Sequence, residues 1–406
     1  MTTRRTLLKT ALAAGSLALV DMPVRAAFAS AATDRRLIVV ILRGALDGLA
    51  AVPPYGDPDY KSVRGDLALD EHGMRPLLRL DGFFGLHPSL TGVKALYDAR
   101  QAILLHAIAS PYRDRSHFDG QNVLETGAVA PHLLRDGWLN RALAPMGLDH
   151  GNSAVAASAT MPLMLTGAAQ ATSWMPATLP EADSVFLKRV AELYANDPIL
   201  HEALEEGIET EAKAEAARDD VPPGKKMDGM GFGGYGALTP VFSGAGKLLS
   251  DTGGMRVAVL EASGWDTHVN EGGADGQLAR RLTALDQGLE ALRSNLGPAW
   301  DKTVIVMATE FGRTAHSNGD GGTDHGTGAA AFVLGGAVSG GRVIADWKGL
   351  KPGDLQDGRD LAATTDLRAL FKGILAGHMG VGTQALDETV FPDSGGTRPI
   401  MGLIRA

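Results

Sequence analysis

Apolar positions along the chain gather into short unbroken runs separated by charged or glycine-rich stretches. RLIVVILR at 36–43 is the first, QAILLHAI at 101–108 the second, MRVAVL at 255–260 the third and TVIVMA at 303–308 the fourth. Ala329–Leu334 reads as a fifth. A run so short and so uniformly apolar, bounded by charge, predicts a strand buried on both faces of a parallel sheet. The period changes at 276–295, GQLARRLTALDQGLEALRSN, where Leu278, Leu282, Leu285, Leu289 and Leu292 recur at helical spacing and form one apolar face. Strands alternating with helices predict an α/β fold with a mostly parallel central sheet. Ligands in such sheets gather beyond the strand ends. A stretch from about 180 to 217 is rich in Glu, Ala and Leu, and VPPGKKMDGMGFGGYGALTP follows it. It reads as a helical insertion or cap at about 180–245; a plain pair of surface helices fits the same text. No internal repeat of 20–50 residues is present.

The N-terminus follows neither period. Arg4-Arg5, a weakly apolar segment from about Ala11 to Val20, and small residues around Ala29-Ser30-Ala31 resemble a twin-arginine export signal. An amphipathic N-terminal helix is the plainer alternative. The apolar segment is about half the roughly 20 residues that span a bilayer, and no later segment is long enough, so no transmembrane segment is expected in the mature chain. The expected organisation is a signal peptide at 1–31 and one α/β domain at 32–406. The signal implies a periplasmic or extracellular protein that meets the twin-arginine translocase during export.

Charge and composition narrow the chemistry. The chain has 38 Lys+Arg against 47 Asp+Glu, a net charge of −9; without residues 1–31 it becomes −12. Nucleic-acid binding needs a basic surface, so that class is disfavoured. Cysteine is absent, which removes disulfides, thiol nucleophiles and thiolate metal sites. Glycine numbers 52, well above the usual share, and many of these glycines flank polar clusters.

Those clusters sit where the strands end. Asp47 lies in RGALDGL, Ser116 and His117 in RDRSHFDGQ, Asp266 and His268 in SGWDTH, Glu310 and Arg313 in TEFGRT, Asp324 and His325 in GGTDHG. Carboxylates and imidazoles without thiolate suit one or two divalent ions of the Zn, Mn, Mg or Ca kind. Asp47, Asp266, His268, Glu310, Asp324 and His325 are the candidate metal ligands. Ser116 is the candidate nucleophile, and Arg43, Arg113, Arg115 and Arg313 are candidate anion binders. Each cluster has a plain structural alternative. Asp47-Gly48 can be a turn, Ser116 can cap a helix starting near Phe118, and Glu310 with Arg313 can be an ion pair. His72, His132, His150, His201 and His378 lie outside the clusters and read as surface or core histidines.

Taken together, GALDGL, PYRDRSHFD, DGWLNR, GWDTH, TEFGRT, GGTDHG, LGG and TTDLR resemble DUF1501, a family of exported bacterial proteins. That family looks like a remote branch of the alkaline phosphatase and sulfatase superfamily. The resemblance covers about 35–400 and implies a three-layer α/β sandwich. It implies metal ligation by Asp47, Asp266, His268 and His325, and a nucleophile at Ser116 opening a helix. Two departures stand out. The superfamily usually has Asp-His after the strand that here reads TVIVMA, whereas this chain has Glu310-Phe311, so one imidazole is missing unless His316 or His117 replaces it. Ala109-Ser110-Pro111-Tyr112-Arg113 looks like the sulfatase signature with Ala in place of Cys, which excludes a formylglycine at 109. The expected function is a metal-dependent hydrolase, or a phosphoryl- or sulfuryl-transfer enzyme, acting on a small phosphate or sulfate ester. The alternative is a non-catalytic exported binding or assembly protein that retains the fold.

Overall fold

The computed structural model describes residues 33–176 apart from 152, residues 190–215 apart from 192, 195 and 196, and residues 238–405 apart from 252. The expected signal peptide and most of the expected insertion lie outside the described residues. In chain order the elements that matter are β1 (Arg36–Arg43), α1 (Gly48–Ala51), α2 (Tyr60–Arg64), a hairpin of β2 (Leu78–Arg79) and β3 (Gly85–Leu86), and α3 (Thr91–Asp98). Then come β4 (Ala102–Ala109), α4 (His117–Thr126), α5 (Trp138–Leu143), β5 (Ala154–Ala157), β6 (Thr172–Ser173), α6 (Pro198–Glu215) and α7 (Leu238–Ser250). The chain continues through β7 (Val257–Ser263), α8 (Gln277–Leu296), β8 (Thr303–Ala308), β9 (Ala329–Leu334), β10 (Arg342–Ile344), β11 (Thr365–Asp366) and α9 (Leu367–Gly377).

One nine-stranded sheet runs β10-β4-β9-β8-β1-β7-β5-β6, with β11 joined to β4. The five apolar runs of the sequence are its centre. Because the side chains of a strand alternate, β1 feeds two cores. Ile38, Val40 and Leu42 pack with Val241 and Phe242 of α7 and with Leu278, Leu282 and Leu285 of α8. Leu37, Val39 and Ile41 pack on the other face with Trp138 of α5 and with Leu370, Phe371 and Ile374 of α9. The result is the expected three-layer α/β arrangement, and each buried aliphatic side chain contributes about 1.5–3 kcal/mol. The leucine face of α8 is the one that is buried. β7 runs on to Ser263, past the apolar text, because its pairing with β1 extends from Leu37↔Val257 to Arg43↔Ser263.

β9 departs from the pattern. It is antiparallel to both neighbours, β4 and β8, while the other pairings of this sheet are parallel. Its first residue therefore lies at the rim where the parallel strands finish, as the Ile108↔Ala329 register shows. This reversal brings Asp324 and His325, which precede a strand, to the same edge as residues that follow strands.

Candidate functional site

Four strand ends and one strand start converge on that rim. Tight backbone contact is required there. Gly44, just past β1, has φ +115°, and a Cβ on it would stand 2.8 Å from the Asp266 amide nitrogen. A Cβ on Gly326 would stand 2.3 Å from the Arg313 carbonyl oxygen. These glycines let the loops carrying Asp266, Arg313 and His325 approach one another.

At the centre, His325 Nε2 lies 3.0 Å from His117 Nε2 and 3.0 Å from His268 Nε2. Asp266 Oδ1 lies 3.2 Å from His325 Nε2 and 3.1 Å from His268 Nε2, and Asp266 Oδ2 lies 3.4 Å from His117 Nε2. The other ring nitrogens face acceptors. His117 Nδ1 donates to Glu310 Oε1 at 2.8 Å, His268 Nδ1 to Asp324 Oδ1 at 3.0 Å, and His325 Nδ1 to the Arg115 carbonyl at 3.0 Å. A carbonyl or an ionised carboxylate only accepts, so each neutral imidazole carries its hydrogen on Nδ1. Three Nε2 lone pairs and a carboxylate then point at one another, and a cation or an extra proton relieves the repulsion. Ligating histidines are commonly held this way from behind. Four donors around one ion at about 2.0–2.2 Å stand roughly 3.3–3.6 Å apart in a tetrahedron, and the spacings about His325 Nε2 and the Asp266 carboxylate are close to this. His117, Asp266 and His325 alone already bring three ligand atoms within 4.8 Å of one another.

The surroundings set the charges. Hydrogen bonding by Glu310 raises the pKa of His117, while burial and the charge of His117 lower that of His325. Burial pushes the Asp266 carboxyl up, but the bond and charge of Arg313 outweigh it and hold it low. Arg313 is 2% exposed and is itself held by the hydroxyl and carbonyl of Thr323. Glu310 also resists the effect of burial, because it accepts from His117, from Gln121 Nε2 at 3.1 Å and from the Gly44 amide at 2.8 Å.

Of the candidate ligands, Asp266, His268 and His325 stand together. Glu310 and Asp324 stand one bond behind, as partners of His117 and His268. Asp47 is engaged by other groups. It caps α1 through the amides of Leu49 and Ala50, and its other oxygen meets the Arg64 guanidinium 2.5 Å away. Arg64 also faces Glu271 at 3.7 Å, and all three side chains are buried. Burial and the neighbouring Asp47 push Glu271 up to about 8. A guanidinium thus supplies the positive charge at Asp47, and among the described residues only one His/Asp group suits a metal.

Of the two histidines that could stand in for an imidazole at Phe311, His117 lies in the cluster, whereas His316 is exposed and bonds through its carbonyl. Phe311 packs behind the cluster, its ring centroid 4.9 Å from that of His117 and 5.3 Å from that of His325. Ser116 precedes α4 without capping it, and its hydroxyl makes no hydrogen bond among the described residues. It sits between Arg115, whose carbonyl holds His325, and His117. Ala109 ends β4 opposite Asp366, seven residues before Ser116, and is buried. The candidate anion binders are engaged internally. Arg313 holds Asp266; Arg43 holds Glu125, Glu261 and Gln121; Arg115 holds Asp357 and Asp360; Arg113 turns back to the carbonyls of Ser110 and Tyr112.

The sequence matches a family described as protein of unknown function (DUF1501) over residues 34–390. The chain belongs to the DUF1501 family. Among solved structures, this DUF1501 chain is similar to the C-terminal periplasmic domain of EcEptC from Escherichia coli, crystallised in complex with Zn. Identity there is 10%, covering 75% of this chain and 74% of that one, with a TM-score of 0.37. It is similar to the phosphonate monoester hydrolase of Agrobacterium radiobacter at 13% identity, over 90% and 78% of the two chains, with a TM-score of 0.35. Ps i-CgsB in complex with k-i-k-neocarrahexaose gives 13% identity over 89% and 76%, and a TM-score of 0.41. These loose overlaps carry no functional argument. No curated protein matches the chain.

Proposed function

We propose that this DUF1501 protein is an exported metal-dependent hydrolase of phosphate or sulfate esters. One observation carries the reading: the Nε2 atoms of His117, His268 and His325, fixed as bare nitrogens by acceptors behind them, converge with the Asp266 carboxylate. These four residues would hold one divalent ion. Bound there, such an ion supplies Lewis-acid polarisation of an ester oxygen and eases ionisation of a nearby hydroxyl or water. Ser116, unencumbered beside His117, is the nucleophile in this proposal, and Glu310 and Asp324 orient the rings. The donor side chains are 23–39% exposed, so a substrate can reach them. The resemblance of Arg4-Arg5 and the following apolar segment to a twin-arginine signal supports export to the periplasm or beyond.

A second reading, a binding or assembly protein with one structural ion, is favoured by the donor count. Three imidazoles and a carboxylate already fill four positions, whereas catalytic zinc sites keep one open. The test is metal analysis of protein exported through its own signal, followed by an ester screen. One bound ion and turnover lost in Asp266→Ala support the hydrolase. Folded protein that takes up none of Zn, Mn, Mg or Ca sinks it. A bound ion without turnover on any ester leaves the structural reading.

A further inference from the structure

Resting on the hydrolase reading, we infer that the substrate is a monoanionic ester, a phosphodiester or a sulfate monoester, and not a dianionic phosphate monoester. The inference comes from the charges the fold has already committed. Around the imidazole cluster stand three carboxylates: Asp266 within it, Glu310 behind His117 and Asp324 behind His268. One buried guanidinium, Arg313, answers them through Asp266, and the half-exposed Arg359, shared with Asp360, acts on Asp324 from further away. A divalent ion in the cluster brings that set to about zero.

A phosphate with two charges needs more, and the nearby guanidiniums are committed. Arg115 lies 2.7 Å from Asp360 and 3.1 Å from Asp357. Arg359 donates to the His325 carbonyl at 2.6 Å and stands 3.7 Å from Asp360, so this pair of arginines is matched by a pair of aspartates. Arg43 is outnumbered by Glu125 and Glu261. Arg64 is sealed with Asp47 and Glu271. Arg113 bonds to carbonyls of its own loop, and the carboxylate acting on its charge is Asp366. Among the described residues no lysine makes an ion pair with any group of the site. Placing a second uncompensated negative charge beside Glu310 and Asp324 is a like-charge juxtaposition, which partly desolvated sites penalise strongly. A monoanion meets the ion's field and leaves the smaller excess.

The test compares two substrates with one leaving group on Zn-loaded full-length protein at pH 8. Bis(p-nitrophenyl) phosphate carries one charge; p-nitrophenyl phosphate carries two there, its second pKa being near 6. The expected kcat/KM favours the diester by at least about tenfold. Using p-nitrophenyl sulfate as a third arm separates phosphorus from sulfur esters. A second measurement uses Phe118→Arg, at a position beside His117 that is 88% exposed and so tolerant of the change. The added guanidinium is expected to narrow the diester preference by raising kcat/KM for the monoester. Wild-type protein that prefers the monoester, with the sulfate also poor, overturns the inference and leaves the hydrolase reading standing. Protein that turns over none of the three esters, and that binds neither phosphate ester in calorimetry, overturns both.

Discussion

His325 Nε2 stands 3.0 Å from His117 Nε2, with the two rings 4.3 Å apart between centroids and inclined at 75°. His325 is the hub of the cluster, since His268 and Asp266 also lie within 3.2 Å of that one nitrogen. His325→Ala is therefore expected to lower bound metal from about one ion per chain to background, read by mass spectrometry of the purified protein. His316→Ala, at an exposed ring outside the cluster, is expected to leave it unchanged. Equal metal content in the two variants would contradict the assignment.

Ser116→Ala tests a different link. The residue precedes α4 without capping it, so its loss is expected to cost little stability. Turnover of the best ester is expected to fall by about a thousandfold or more, a loss typical of nucleophile removal, while the bound ion stays. Residual activity within tenfold of wild type, with metal intact, would remove Ser116 from that role.

Arg115 holds a positive φ of 61°, which is unfavourable for a side chain of its size, and its carbonyl accepts from His325 Nδ1. Its guanidinium is tied to fully buried Asp360. Asp360→Asn keeps an acceptor but removes the charge, so the grip on Arg115 loosens and His325 loses its fixed tautomer. Affinity for Zn, measured by chelator competition, is expected to fall about 10–100-fold. Unchanged affinity accompanied by a lower melting temperature would make the contact purely structural.

Acid sensitivity follows from histidines away from the site. Burial drives His87, His106 and His378 down to about 4. Below pH 6.5 the unfolded chain takes up protons that the folded chain refuses, so stability is retained above that value and lost as pH falls toward 4. Each such group accounts for at most about 3 kcal/mol. Glu271, pushed up to about 8, acts in the opposite sense, removing stability as pH rises from about 4.5 to 8. In His378→Gln a neutral donor still reaches the Arg36 carbonyl, 2.9 Å from the native ring. Urea midpoints at pH 4.5 and 7 are expected to differ less in this variant than in wild type. An identical difference in both would assign the acid loss elsewhere.

Much of the fold was legible because buried strands write themselves as continuous apolar text. β1, β8 and β9 coincide with their runs, and the leucines of α8 mark the face it buries. Site-forming residues were legible as polar clusters after strands, but not the roles within them. Glu310 and Asp324 read as ligands since a carboxylate in a strand-end loop looks the same in sequence whether it faces an ion or an imidazole. Asp47 read as a ligand since its partner, Arg64, lies a helix away and carries no local signal. His117 was recoverable only as one of two substitutes, with His316, for the imidazole expected at Phe311; its ring packs beside Phe311.

The reversed strand has a consequence for how the chain assembles. β4 is buried along its whole length, and the strands it pairs with are β9, β10 and β11, all from the last quarter of the sequence. About 220 residues separate the end of β4 from the start of β9. At about 5–20 residues per second of synthesis, β4 waits some 10–45 s for a partner, with its apolar edge open to other chains. The sheet cannot close on a nascent chain. The β4 edge is covered only once the segment carrying β9, β10 and β11 has been made.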